Sequence, residues 1–195
     1  MSRTSTVERR TAETNIQATL TLDGSGQAVV QTGIGFFDHM LNLWAKHGLF
    51  DLTLTAEGDL HIDGHHTVED TGIVLGKALA QAVGDKAGIR RYGTAFVPMD
   101  EALVQVSLDL SGRPFLHYEV DTRVERIGSF DTELTEEFLR AFADNAGITL
   151  HVMLLHGKNG HHIIEALFKA LGRALDEATR KDERIVGVLS TKGSL

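Results

Sequence analysis

The sequence predicts an α+β fold made of two similar halves, each running roughly β-β-α-β-α. Three observations carry that prediction. His65-His66 followed by Glu69 recurs 96 residues later as His161-His162 followed by Glu165. Each copy runs into a matching segment at the same offset, Gly76-Lys77-Ala78-Leu79 against Gly172-Arg173-Ala174-Leu175. Upstream, Leu22-Asp23-x-Ser25-Gly26 matches Leu108-Asp109-x-Ser111-Gly112 at an offset of 86. The two offsets differ by ten, so about ten extra residues belong to the second half, within Asp121 to Thr132.

The elements follow in order. Alternation in Asn15 to Leu22 reads as a strand, and Asp23-Gly24-Ser25-Gly26 turns it into a second strand through Val29-Val30, a hairpin. The counterpart is Val104 to Leu110, a Ser111-Gly112 turn, then Phe115 to Val120. Apolar residues at spacings of three and four predict helices near 36–47 (Phe37, Met40, Leu41, Trp44) and near 132–145 (Leu134, Phe138, Leu139, Phe142). Each ends near a glycine, Gly48 or Gly147, and His47 is placed to stabilise a helix C-terminus. Strands Phe50–Ala56 and Ile148–Leu154 lead to a long helix starting at each histidine pair, with an extra short strand around 59–63. The halves divide at 1–92 and 93–195, and with two prolines and no linker-like stretch they are expected to pack as one body.

Composition narrows the partners. A net charge of −8 gives no general attraction to nucleic acid or anionic lipid, although a local basic pocket for a small anion is compatible with it. Cysteine is absent, which excludes disulfides and thiolate metal sites. No apolar run approaches the roughly 20 residues of a membrane span, and the basic start has no apolar segment behind it, so a cytoplasmic location is expected.

The histidines carry the chemistry. On a helix, residues four apart share a face while neighbours point about 100° apart, so His65 and Glu69 can grip one ion while His66 aims elsewhere. His161 and His162 diverge in the same way, with Glu165 able to join one of them. His39, His61, His151 and His156 offer further imidazoles, although His61 and His151 alternate with apolar residues as ordinary strand positions do. A single pair at a helix start is usually satisfied by hydrogen bonds; two copies at a constant offset favour metal ligands. Imidazole with carboxylate suits Mn, Fe, Co or Ni, and also zinc, so ligand type alone does not name the ion.

Many separate segments, in order and over nearly the whole chain, resemble imidazoleglycerol-phosphate dehydratases of histidine biosynthesis. They include Arg10-Thr-Ala-Glu13-Thr-Asn15, Phe36-Phe-Asp-His39-Met-Leu41, Asp63-Gly-His65-His66-Thr-Val-Glu69-Asp70 and Asp100-Glu101-Ala102. Leu108-Asp-Leu-Ser-Gly-Arg-Pro114, Gly160-His161-His162-Ile-Ile-Glu165-Ala166, Phe168-Lys169-Ala170 and Ser190-Thr-Lys192-Gly193 complete the set. The resemblance implies a hydro-lyase that removes water from D-erythro-imidazoleglycerol phosphate to give imidazole-acetol phosphate, with two manganese ions per active site. It also implies a duplicated fold like the second domain of ribosomal protein S5, and a homo-oligomer of 24 subunits with active sites between them.

The resemblance further implies that His39, His66, His161 and Glu165 hold one manganese, and His65, Glu69 and His162 the other. Family members place one more histidine on the helix before Gly147; this chain has Glu137 there, either a ligand or a solvated glutamate on an acidic helix face. Elimination beside an imidazole ring needs a place for developing negative charge, which a metal on the ring nitrogen supplies. Glu13 is the implied acid–base group in contact with substrate, with Glu165 assisting. Arg91, Arg113, Ser190, Thr191 and Lys192 resemble the phosphate pocket, and Lys169, one turn beyond Glu165, faces the same site. Leu189 departs from the family's usual proline, which predicts a more mobile tail when empty. A metal-stapled structural oligomer would explain the histidines but not Glu13, the arginines and the tail. A metal-dependent hydrolase would need a position for activated water instead of ring ligation.

Overall fold

Alternating burial along the strands and helical stripes of apolar residues build two matching units in the computed structural model, which describes residues 3–194. The first unit holds β1 (Thr4–Arg10), β2 (Thr14–Thr21), β3 (Ala28–Gln31), α1 (Gly35–Gly48), β4 (Asp51–Gly58) and α2 (His65–Val83). The second holds β5 (Tyr92–Met99), β6 (Ala102–Asp109), β7 (Phe115–Glu119), the short pair β8 (Arg126–Ile127) and β9 (Phe130–Asp131), α3 (Leu134–Ala146), β10 (Thr149–His156) and α4 (Gly160–Thr179). The β8–β9 hairpin lies in the segment where the offsets placed the extra residues.

Strand order is β1-β2-β4-β3 in one sheet and β5-β6-β10-β7 in the other. Each half therefore opens with a strand that sequence periodicity did not identify. The hairpin expected from 15 to 30 does not form: β2 pairs with β1 and β4, and β3 pairs parallel with β4, which lies between them. In the second half β10 separates β6 from β7 in the same way. The physical reason is that Asp23–Gly26 leads the chain out of register with β2, and the α1 crossover then returns it as a strand parallel to β3. The short strand expected at 59–63 is a turn, closed by the Ile62 amide on the Asp59 carbonyl at 2.8 Å.

One face of each sheet is apolar and buried, through Ile16, Ala18, Leu20, Leu52 and Leu54 in the first and Val104, Val106, Leu150 and Val152 in the second. Helices α1 and α2 cover the first sheet, and α3 and α4 the second. Across the middle, α2 packs on α3 and α1 on α4, so each long helix meets the short helix of the other half. A single apolar core runs through all four layers.

The duplicated glycines explain how closely the helices approach. A Cβ on Gly76 would lie 2.6 Å from the Phe142 carbonyl oxygen, and one on Gly172 would lie 2.4 Å from that of Trp44. These equivalent positions are the two helix crossings. Helix α3 stops at Gly147, whose φ of 65° is a left-handed cap that glycine adopts without strain. At the end of α1 burial, followed by the nearby Lys169 and Arg173 charges, pushes the His47 pKa down, and Lys46 stands beside it as a second basic group in the last turn.

Candidate functional site

Both long helices begin on the same device. Asp63 Oδ1 accepts the His65 amide at 2.8 Å, and Asn159 Oδ1 accepts the His161 amide at 2.9 Å, so a side chain two residues before each histidine pair fixes its backbone. The rings of His65 and His66 stand at 87° to each other and those of His161 and His162 at 85°, the divergence expected for helical neighbours. His65 Nε2 lies 3.8 Å from Glu69 Oε2, one turn along.

At the start of α4 three donors converge. Glu165 Oε2 lies 3.1 Å from His161 Nε2 and 3.6 Å from His39 Nε2, which α1 brings in by packing on α4. Phe36 sets its ring edge-on to His161 at 5.2 Å between centroids. The other Glu165 oxygen is 2.6 Å from Lys169 Nζ. Burial pushes the Glu165 pKa up, but the Lys169 ammonium and the His161 hydrogen bond outweigh it and hold the carboxyl below its usual value. An ionised carboxylate with two imidazoles in reach of one point is a donor set that fits a divalent ion such as Mn or Zn.

His66 turns elsewhere. Its Nδ1 donates to Asp59 Oδ2 at 2.9 Å and lies 3.8 Å from Glu13 Oε2, forming a second group of three metal-competent side chains. The Asp59 hydrogen bond raises the His66 pKa and lowers that of Asp59. Asp59 Oδ1 is buried without a hydrogen-bond partner among the described residues. His162 has a parallel arrangement: Nδ1 donates to Glu101 Oε2 at 2.7 Å, while Glu101 Oε1 accepts the amides of Asn159 at 2.7 Å and Lys158 at 3.1 Å. The His162 hydrogen bond and then the two amides lower the Glu101 pKa to about 2. In both cases a carboxylate holds Nδ1, which leaves Nε2 as the ring nitrogen able to take a further ligand. Neither Asp59 nor Glu101 is marked by helical spacing or by the repeat, although Asp100-Glu101 lies in one of the segments that carry the family resemblance.

Within one chain, then, His39, His161 and Glu165 come together, whereas His66 joins Asp59 and Glu13 instead of that trio. Glu137 is half-buried on the first turn of α3. His61 is on an exposed turn. His151 faces outward from β10 beside His117, 5.3 Å between ring centroids.

The expected phosphate contacts share one cavity of about 750 Å³, lined by Arg91, Arg113, Arg184, Ser190, Thr191 and Lys192 among others. Arg113 is exposed, and its guanidinium makes only a 3.3 Å hydrogen bond to the Ser111 carbonyl. Arg91 is buried and engaged: Nε and Nη2 donate to Asp109 at 2.7 and 2.9 Å, and Nη1 to the Leu189 carbonyl at 2.7 Å. It anchors the tail that carries Ser190 to Lys192, with two of its five N–H donors left over. No histidine lines this cavity.

Duplicated sheets, histidine–carboxylate clusters at both long helix starts and a separate cationic cavity define a class: an α+β protein with donors suited to divalent metal and a pocket suited to an anion. Residues 32–175 match the sequence profile of imidazoleglycerol-phosphate dehydratase. The chain is 65% identical over its full length to the imidazoleglycerol-phosphate dehydratase of Acetivibrio thermocellus, covering all of both chains. It is equally similar to that of Thermoanaerobacter pseudethanolicus over 97% of each. The crystal structure of the Staphylococcus aureus enzyme superposes with a TM-score of 0.84 at 41% identity, covering 92% of this chain and 99% of that one. The Pyrococcus furiosus structure gives 0.84 at 39%, covering 97% and 100%. The chain belongs to the imidazoleglycerol-phosphate dehydratase family.

Proposed function

We propose that this chain is a manganese-dependent hydro-lyase that converts D-erythro-imidazoleglycerol phosphate to imidazole-acetol phosphate in the cytoplasm, using centres completed between copies of itself. The observation that carries this reading is the convergence of His39, His161 and Glu165 on one point, with equivalent helix starts built twice. His39, His66, His161 and Glu165 form one ligand set in this reading, and His65, Glu69 and His162 the other. Because His66 lies with Asp59 and Glu13 in its own chain, completing the first set calls for a second copy. The exposed Tyr92, Phe96 and Phe115 on the outer face of the second sheet support an assembly, here a 24-subunit one.

When bound, the two ions supply Lewis acidity to the imidazole of the substrate and fix its orientation. The chain's own groups do the rest. Arg113, Lys192, Ser190 and Thr191 bind the phosphate, Arg91 holding their loop in place. Lys169 neutralises Glu165 and reaches toward the substrate. Glu13, with 56% of its side chain exposed and no hydrogen bond to its carboxylate among the described residues, is free to carry the proton between substrate carbon and departing hydroxyl.

The test is turnover by metal-stripped protein, following imidazole-acetol phosphate by absorbance before and after manganese is restored. Activity returning with the ion is expected. No turnover of this substrate in metal-replete protein would refute the reading. No helix among the described residues is long and apolar enough to cross a membrane.

A further inference from the structure

The group assigned to proton transfer is exposed and its carboxylate takes part in no hydrogen bond among the described residues, so its position rests mainly on the backbone that carries it. Glu13 sits in the β1–β2 turn. Thr11 closes that turn: its amide donates to the Thr14 carbonyl at 2.8 Å, and its hydroxyl accepts the amides of Glu13 at 3.1 Å and Thr14 at 2.9 Å. The turn as a whole is tied to α2 through one buried carboxylate. Asp70 Oδ1 accepts from Arg9 Nε at 3.0 Å on the β1 side, and Oδ2 accepts the Thr14 hydroxyl on the β2 side. Asp70 is one residue beyond Glu69 and four beyond His66, so the helix that presents the histidine also grips both ends of the turn that presents Glu13. The sheet agrees, since Thr14 pairs with Gly58 and leaves Glu13 and Asp59 facing each other just beyond the strand ends.

We propose that Asp70 is the positioning residue for Glu13, clamping Arg9 and Thr14 so that this carboxylate is held beside His66. The inference rests on the reading of Glu13 as the acid–base group. A buried carboxylate with both oxygens bonded to opposite ends of one turn adds two side-chain ties to the Thr11 bonds that close it, and misplacement of a reacting group by about 1 Å can cost roughly a hundredfold in rate.

Thr14→Val removes one arm of the clamp without changing charge, and Asp70→Asn weakens both. In metal-loaded, assembled protein each should lower kcat by roughly tenfold to a hundredfold, with KM within about twofold and metal content and assembly mass unchanged. Thr19→Val, whose hydroxyl pairs with that of Thr6 on the same sheet at 2.9 Å, should leave both constants unchanged. In a Glu13→Asp background, already short by one methylene, Thr14→Val should cost less than about threefold, because coupled groups are not additive. Wild-type kcat in Thr14→Val together with an inactive Glu13→Gln would overturn the clamp. A full loss in the Glu13→Asp background would overturn it too, since the effect would then bypass Glu13. An active Glu13→Gln would instead overturn the acid–base reading, and the clamp would fall with it.

Discussion

Gly76→Ala sets two effects of opposite sign against each other. In a solvent-facing helix the change gains about 1 kcal/mol, because alanine loses less backbone entropy. Here the new Cβ would sit 2.6 Å from the Phe142 carbonyl oxygen, 2.9 Å from Asn145 Cβ and 3.0 Å from the Ala146 amide nitrogen, all on α3. Two of those are backbone atoms that no rotamer change removes, so α2 and α3 must move apart. Overpacking of this kind costs about 1–3 kcal/mol, and the backbone clash puts it toward the upper end. The net loss expected is about 1–2 kcal/mol, or roughly 2–8 °C in melting midpoint for a chain of this size. Gly172→Ala, meeting the Trp44 carbonyl oxygen at 2.4 Å, should behave alike, whereas Gly35→Ala, with nothing within 4 Å, should be neutral or stabilising. Thermal unfolding of all three at matched protein and metal concentration makes the comparison. A raised midpoint for Gly76→Ala would refute the close crossing and, with it, this explanation of the repeated glycines.

Three other outcomes follow from the site. Asp59→Asn should leave the His66 ring without its hydrogen-bonded carboxylate and weaken manganese binding by roughly tenfold to a hundredfold, measured by metal titration; unchanged affinity would show that Asp59 does not orient His66. Protons and metal compete for the same imidazoles, so manganese affinity should fall as pH drops through the raised pKa of His66 and His162. The metal-free protein should respond in the opposite sense: the raised histidine pKa stabilises fully below about 6.5 and is lost above the folded value, while the lowered pKa of Asp59 stabilises above about 3.8 and is lost in acid. Parallel pH titrations of binding and of apoprotein melting would expose any agreement in sign. Finally, Arg113→Ala should raise KM for the phosphate substrate at least about tenfold with stability within roughly 0.5 kcal/mol, whereas Arg91→Ala should also lower the melting midpoint because Asp109 and the Leu189 carbonyl lose their donor. Equal melting for the two variants would contradict the tail-anchor role.

The duplication, the four helices, the strands β2, β4, β6 and β10 and the location of the inserted hairpin were legible because each depends on local periodicity or on matched offsets. Strand order was not. Leu22-Asp23-x-Ser25-Gly26 looks like a hairpin turn, and only the parallel return after α1 inserts β4 between β2 and β3, a contact between residues distant in sequence. β1 lacks a clear apolar alternation because its inward positions, Ser5, Val7 and Arg9, include a single large apolar side chain. At the site, helical spacing predicts Glu165 beside one of the two paired histidines and His66 diverging from His65; the fold makes His161 the partner. The partners of His66 and His162 were hidden for a different reason: Asp59 and Glu101 lie outside the helices and reach the rings only through the fold.

The most direct test of a centre completed between copies is complementation of His66→Ala and Glu165→Ala. Each alone should be inactive, since each lacks a ligand of the same set. After metal is stripped, the two mixed in equal amounts and manganese restored, half of the His66 positions and half of the Glu165 positions are intact, so about a quarter of the centres should be whole in a symmetric assembly. Recovery of about that fraction of wild-type activity is the predicted result. Mixed assemblies, verified by mass, that contain both variants yet show no turnover would contradict the account.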